Sequence, residues 1–292
     1  MKKSYGEKAF DVINTIGMVI ITLITLYPLV YVLFASLSDS NRLLAYNGFL
    51  YKPLGFNVDA YVEVLKNKMV ISSFFNSTFY VVVGTIISML ITIMGAYALS
   101  RKQLWIRKYI NLAVVFTMFF SGGLVPTYLL VKGIGLYDTR WAIILPCAVS
   151  TYNFIVMKTA FLSCPESLEE AAKIDGANDF RILFQIILPV TKATLAVVTL
   201  FYAVNYWNTW FGPSLYLRDR AKYPLQLYLR EVLINSSTDS MMSGSGSSQD
   251  SLAVSESIKY ATVLVSTVPI LVVYPFVQKY FVKGAMVGAV KG

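Results

Sequence analysis

The sequence predicts an all-α integral membrane protein with six transmembrane helices. Of its 292 residues, 56% are hydrophobic and only 14% are charged, whereas about a quarter of the residues in a soluble domain are charged. The mean hydropathy is +0.60. The apolar residues concentrate in six runs, each long enough to cross a hydrocarbon core of roughly 30 Å. These runs are residues 12–37, 70–99, 109–131, 141–162, 190–211 and 258–282.

The third run contains residues that break a helix. A Ser-Gly-Gly sequence at 121–123 is followed by Pro126. Proline removes a backbone donor, and such breaks occur inside a membrane only where protein covers the freed backbone groups. We therefore expect this run to bend or stop near Gly122, with an outer segment that continues to Tyr137.

The distribution of basic residues predicts the orientation of the chain. The stretch 101–108, which follows the second run, contains four Lys or Arg residues. Short loops rich in these residues stay on the cytoplasmic side, so we expect this loop and both termini to be cytoplasmic. The loops 38–68 and 212–257 would then be extracellular. One basic cluster does not fit the rule, because this orientation places it outside: Arg218, Arg220 and Lys222.

A polar segment, residues 163–189, lies between the fourth and fifth runs and carries a spaced motif. The motif is Glu170-Ala-Ala, three residues, Gly176, nine residues, Ile186, one residue and Leu188-Pro189. The spacing of Leu168, Ala171, Ala172 and Asp175 places them on one face of a helix. Gly176 can adopt a positive φ and end that helix, and Asn178 can cap a second one.

This motif resembles the cytoplasmic EAA loop in the membrane subunits of bacterial ABC importers, where a short coupling helix docks in a cleft of the ATP-hydrolysing subunit. The six runs around it resemble the maltose-type (MalG-like) carbohydrate permeases. Residues 121–126, 132–138 and 278–292 resemble a Gram-positive branch of that group, the lipoprotein/oligosaccharide permeases. The resemblance implies a single type I ABC importer transmembrane domain with a cytoplasmic coupling helix.

The resemblance also implies a function and a set of partners. The chain would be a non-catalytic permease subunit of an ATP-driven oligosaccharide importer in the bacterial plasma membrane. Its partners would be a second homologous permease, two ABC ATPase subunits and an extracellular solute-binding lipoprotein. The sequence has no phosphate-binding G-x-x-x-x-G-K-[ST] motif, which places ATP on another chain. The residues expected to contact the ATPase are Glu170, Ala171, Ala172, Asp175 and Gly176.

Polar and aromatic residues inside the apolar runs are candidates for a substrate pathway. Proteins hold sugars with aromatic faces and with amide hydrogen bonds. Two other interpretations remain open, namely an aromatic belt at the membrane interface and hydrogen bonds between helices. The candidates are Asn76, Tyr80, Tyr152, Asn153, Asn205, Tyr206, Asn208 and Trp210.

Other functions fit the sequence less well. A stand-alone carrier or channel is the main alternative, but the runs contain no central acidic residue, which weakens a proton-coupled mechanism. A sodium-coupled carrier could still use carbonyls and hydroxyls. With no histidine and only Cys147 and Cys164, the chain predicts no metal site, disulfide, cofactor or intramembrane active site. The serine- and glycine-rich stretch 236–251 predicts either a flexible loop or a contact with an extracellular partner.

Overall fold

A computed structural model describes residues 4–46, 48–242, 257–272 and 275. Across these residues the regular structure is helical, apart from one isolated antiparallel bridge between Ser38 and Phe56. The all-α prediction is therefore confirmed. The tail at 278–292 and residues 243–251 of the serine-rich stretch lie outside the described residues.

The helices have bounds that follow the apolar runs and the polar segment. In chain order they are α1 (Tyr5–Ser36), α2 (Ser40–Leu44), α3 (Asp59–Lys66), α4 (Lys68–Ser100), α5 (Arg107–Phe119), α6 (Leu124–Gly133), α7 (Trp141–Ile144), α8 (Thr151–Leu162), α9 (Glu166–Ile174), α10 (Asp179–Val190), α11 (Lys192–Trp207), α12 (Phe211–Tyr216), α13 (Leu225–Met242) and α14 (Ser257–Val272). A π-helical turn, Leu183–Ile187, lies within α10, and a 3-10 turn, Arg220–Lys222, precedes α13.

Among the described residues, two helices, α1 and α4, are each long and apolar enough to cross a membrane. Two further pairs pass the same test together but are bent, α5 with α6 by 116° and α10 with α11 by 88°. The first bend falls at residues 120–123, where Gly123 has a φ of +86°, so the break expected near Gly122 is present. The six-span count stays a prediction, since residues beyond 272 in the sixth run are described only at 275.

The fourth apolar run forms two helices instead of one continuous span. Helix α7 ends at Ile144, and α8 begins only at Thr151. Pro146 lies in the gap, and Ser150 caps α8 by accepting a hydrogen bond from the backbone N–H of Asn153 at 3.4 Å. A proline followed by a capping serine ends one helix and starts another, which explains the division.

The described residues form two compact units. The first consists of residues up to 68 together with 229–268. It contains α1, whose apolar side chains are exposed from Phe10 to Leu26, as expected for a helix that faces lipid or another membrane subunit. The loop after α1 packs on its end through Ala35, Leu43 and Leu50, and the Leu50 N–H donates to the Tyr27 hydroxyl at 3.2 Å.

The second unit consists of residues 69–228 together with those from 269 onward. Its core lies between α4, α8, α10 and α11 and contains Tyr97, Met157, Phe161, Ile187 and Val198. Hydroxyl pairs also join α4 to α11, one between Thr92 and Tyr202 at 2.7 Å and one between Ser88 and Tyr206 at 3.0 Å.

The close approach of α4 to α11 depends on Gly84. A Cβ at this position would lie 2.6 Å from the Tyr206 ring. That ring is fully buried, and its hydroxyl also donates to the backbone carbonyl of Ile144 at 3.1 Å. Because the ring is held in place, a side chain at Gly84 must push the two helices apart.

We therefore expect Gly84→Ala to lower the free energy of unfolding by about 1–3 kcal/mol, the usual cost of overpacking. The control is Gly17→Ala in α1, where no atom lies within 4 Å of the new Cβ. Thermal unfolding in detergent should show a lower Tm for the first variant and no loss for the second. Equal Tm values in the two variants would contradict the proposed contact.

Candidate functional site

The motif segment folds into two helices joined by a tight turn. Helix α9 ends at Ile174, and Gly176 follows with a φ of +75°. The Asn178 side chain accepts a hydrogen bond from the Arg181 N–H at 2.9 Å and caps α10. Both local predictions are confirmed. The π-helical turn of α10 immediately precedes the Leu-Pro pair, where Pro189 lacks the N–H needed to continue the hydrogen-bond ladder.

Helix α9 is held against the end of α4 by ion pairs. The Glu169 carboxylate pairs with Arg101, and it also accepts from Lys173 at 3.0 Å. One turn earlier, Glu166 pairs with Lys102 at 2.5 Å. These contacts join the acidic first turn of α9 to the basic stretch 101–108.

The two ion pairs differ in burial. The side chains of Arg101 and Glu169 are 20% and 11% exposed, while those of Lys102 and Glu166 are 74% and 67% exposed. Arg101 also lies over the Tyr97 ring, with its guanidinium carbon 4.5 Å from the ring centroid. The first pair is therefore a partly buried anchor, and the second is a solvated contact of small energetic value.

The hydrogen bond from Lys102, together with its charge, lowers the pKa of Glu166 below its usual range. A carboxylate with a lowered pKa in the folded protein stabilises the fold at every pH above its ordinary pKa. That contribution is lost as the pH falls through the lowered value. The exposed contact is therefore intact at neutral pH.

The five residues expected to contact the ATPase do not all point the same way. Glu170, Ala171, Asp175 and Gly176 are exposed, whereas Ala172 is buried against the core. Several large apolar side chains of the same segment are also exposed: Leu168, Ile174 (86%), Phe180 (63%) and Phe184 (51%). These exposed apolar side chains are available for contact with a protein partner.

At the far end of α4, two of the pathway candidates hold a loop in place. The Asn76 amide donates to the carbonyls of Ala221 at 2.6 Å and Tyr223 at 3.2 Å, and it accepts from Arg140 at 2.9 Å. The Tyr80 hydroxyl donates to the Lys222 carbonyl at 2.8 Å. These side chains therefore connect α4 to the segment 217–224.

Asp138 joins that segment to the loop that follows α6. It has a φ of +57°, and its carboxylate accepts from the backbone N–H groups of Arg218 and Asp219, both at 3.1 Å. These hydrogen bonds, together with Lys222, lower the pKa of Asp138. The carboxylate is therefore charged, and the contact intact, until the pH falls below its ordinary range.

The other pathway candidates lie in varied surroundings. Asn153 and Tyr206 are buried and Trp210 is half-buried beside Phe211, with ring centroids 5.5 Å apart. The exposed candidates are Tyr152, Asn205 and Asn208. Sequence reasoning did not consider Lys158, whose ammonium donates to the Asn111 side chain at 2.8 Å. Its signal in the sequence is a lone cation in the apolar run 141–162.

The anchor can be tested by removing its partners singly and together. In Arg101→Gln, Glu169 remains partly buried with only Lys173, so we expect a loss of about 1–3 kcal/mol. In the double variant Arg101→Gln/Glu169→Gln, the unpaired carboxylate is absent, so part of the lost stability should be recovered. Amide hydrogen exchange in α9 measures the effect. The control, Lys102→Gln, removes the exposed pair and should change hydrogen exchange little. If the stability losses of the two single variants simply added in the double variant, the anchor would be contradicted.

Similar proteins agree with this architecture. The chain is 42% identical to the polygalacturonan/rhamnogalacturonan transport system permease protein YtcP of Bacillus subtilis (strain 168), over 98% of this chain and 99% of the relative. It is 39% identical to Protein LplC of the same strain, over 100% of this chain and 98% of the relative. These similarities confirm the resemblance to carbohydrate permeases.

A solved structure gives the same result. A chain from the crystal structure of a bacterial ABC transporter involved in the import of the acidic polysaccharide alginate matches with a TM-score of 0.87 and 33% identity, over 96% of this chain and 99% of that one. The family model described as "binding-protein-dependent transport system inner membrane component" matches residues 69–287. The chain thus belongs to the family of inner membrane components of binding-protein-dependent transport systems.

Proposed function

We propose that this chain is a permease subunit of an ATP-driven importer of oligosaccharides, coupled through α9 to a separate ATPase. The observation that carries the proposal is the arrangement of α9, which exposes Glu170 and Ala171 while ion pairs bind its other side to α4. The carbohydrate transporters among the chain's relatives support an oligosaccharide as substrate.

The geometry explains how a movement of the ATPase would reach the membrane. A force on the exposed face of α9 acts on α4 through Glu169 and Arg101. It acts on α10 and α11 through the buried Ala172, which belongs to the same core as Ile182 and Val198. A packed core moves as a body and does not deform smoothly. Displacement of α9 would therefore shift the membrane helices together, as alternating access requires.

The ends of α4 support the proposed orientation. From Asn76 to Arg101 the helix rises about 37 Å, which exceeds the roughly 30 Å thickness of the hydrocarbon core. The loop network at Asn76 and the anchor at Arg101 therefore belong to opposite sides of the membrane. We place α9 and both termini in the cytoplasm, and the segment 217–224 outside.

The full importer would need further subunits. We propose a second homologous permease, two ABC ATPase subunits and an extracellular solute-binding lipoprotein in a bacterial plasma membrane. The family description, which names a binding-protein-dependent system, supports the last of these. For the substrate pathway we retain Tyr152, Asn205 and Asn208, whose polar or aromatic side chains are exposed, and we assign Asn76, Tyr80 and Tyr206 to holding the helices and loops.

The coupling role predicts the behaviour of two variants in affinity purification from native membranes in mild detergent. The wild-type chain should recover a related permease and an ABC ATPase. Glu170→Lys reverses a charge on the exposed face, and Gly176→Val strains a backbone with a φ of +75°. Both should reduce ATPase recovery at least tenfold while the related permease is retained.

Two matched controls accompany these variants. Glu63→Lys reverses the charge of a residue in α3, and Gly133→Val adds a side chain where no atom lies within 4 Å of a Cβ and φ is not positive. Both should keep the ATPase. Recovery of the wild-type chain only with itself, together with transport by the purified chain alone in liposomes, would instead establish a stand-alone carrier.

A further inference from the structure

The last turn of α6 and two loops at the end of α4 opposite α9 carry an excess of positive charge. The cations are Lys132, Arg140, Arg218, Arg220 and Lys222, and the acids are Asp138 and Asp219. In the proposed orientation this group lies outside, where Lys and Arg in short loops oppose correct insertion. Retaining cations at such a position requires another role for them.

Two of these cations have structural roles. Arg140 donates to the Asn76 side chain at 2.9 Å and lies over the Phe79 ring at 4.9 Å. Lys222 donates to the Asp138 carbonyl oxygen at 2.7 Å and also lies near two carboxylates. Their charges are therefore directed into the loop network and away from any ligand.

Lys132 and Arg218 are different, because both lie beside Tyr137 with donors left over. The Lys132 ammonium is 6.0 Å and the Arg218 guanidinium carbon 5.4 Å from the Tyr137 ring centroid. Arg218 uses its Nε to donate to the Tyr137 hydroxyl at 3.0 Å. In the part of the chain that the structure describes, the Lys132 ammonium and the terminal guanidinium nitrogens of Arg218 make no hydrogen bond or ion pair. Both residues are exposed.

Aromatic rings extend from the same point. Tyr128 precedes Lys132 by four residues on α6, so the two share a helical face. Its ring is 6.1 Å from that of Tyr137, edge to face, and 6.1 Å from that of Tyr216, nearly parallel at 10°. The half-buried rings of Tyr128 and Tyr137 thus adjoin two cations with free donors.

We infer that Tyr128, Lys132, Tyr137 and Arg218 form an entry subsite for a uronic acid, so that the substrate is an anionic oligosaccharide. This inference rests on the proposed function and specifies its substrate class. The Tyr128 ring would pack on the C–H face of the sugar, while Tyr137 positions the two cations beside it. The planar guanidinium would hold its carboxylate with two parallel hydrogen bonds, with the ammonium as a second charge.

The unused hydrogen-bond donors of Lys132 and Arg218 favour binding of a ligand over a purely structural role in holding the loop. The stacking on Tyr137 and the single bond from Arg218 Nε would hold the loop without any further donors. A neutral sugar could only accept hydrogen bonds from these donors, whereas an anionic sugar would also gain electrostatic attraction at long range and a charge-assisted contact with its carboxylate. The charge of the cluster therefore complements a carboxylate.

The test measures uptake by the complete importer in proteoliposomes with its binding protein. The probes are the trimer of galacturonic acid and its fully methyl-esterified, neutral counterpart. In the double variant Lys132→Gln/Arg218→Gln, we expect KM for the charged trimer to rise about three- to tenfold, with kcat unchanged. KM for the neutral trimer should stay constant. The wild-type KM for the charged trimer should also rise with salt, and the double variant should lose most of that dependence.

Two further variants separate charge from structure. Arg218→Lys keeps the charge but loses the two parallel hydrogen bonds of the guanidinium, so its KM for the charged trimer should lie between those of the wild type and the double variant. Lys66→Gln removes an exposed cation outside the cluster, one that lies 3.7 Å from Glu63, and should leave both KM values unchanged.

Four outcomes would overturn the inference. An equal rise in KM for both trimers would assign the cluster to docking of the binding protein. Unchanged KM values in the double variant would assign it to loop structure. Import of neutral oligosaccharides alone by the wild-type complex would overturn the anionic substrate and leave the proposed function intact, whereas import of no oligosaccharide would overturn both.

Discussion

The ion pair between Glu169 and Arg101 connects α9 to α4, so that the two helices are expected to move together. A carboxylate that is 11% exposed needs a cation beside it, since its desolvation is otherwise uncompensated. The cation is itself fixed, because the Arg101 guanidinium lies over the Tyr97 ring in the last turns of α4. Helix α9 therefore cannot shift far without either breaking this pair or carrying α4 with it.

Helix α4 extends this connection across the membrane. Lipid offers no hydrophobic force between helices, so packing and interhelical hydrogen bonds must hold them together. The glycine at 84 and the hydroxyl pairs to Tyr202 and Tyr206 provide both along the interface with α11. At its other end α4 holds the segment 217–224 through Asn76 and Tyr80. The loop that bears Arg218 is thus connected, through one helix, to the proposed ATPase contact.

The features predicted from the sequence are those that depend on neighbouring residues. The positive φ at Gly176, the cap at Asn178 and the break near Gly122 each follow from the conformational preferences of residues within one turn. The contacts of Arg101 with Glu169, and of Asp138 with residues 80 positions later, depend on which helices meet, which no local pattern encodes. The signal that existed was charge complementarity, with two acids one turn apart on α9 and two adjacent bases after α4.

The pathway candidates show why residue type alone is a weak guide inside a membrane. Burying a hydroxyl or amide without a partner costs free energy, and Asn76, Tyr80 and Tyr206 have partners within this chain. Tyr152, Asn205 and Asn208 keep exposed side chains, and an oligosaccharide presents hydroxyls on all sides. One permease subunit can cover only one side of such a ligand. In the proposed importer the remaining contacts would come from the second permease subunit, so selection along the pathway would be shared between the two subunits, whereas the residues of the proposed uronic acid subsite all belong to this chain.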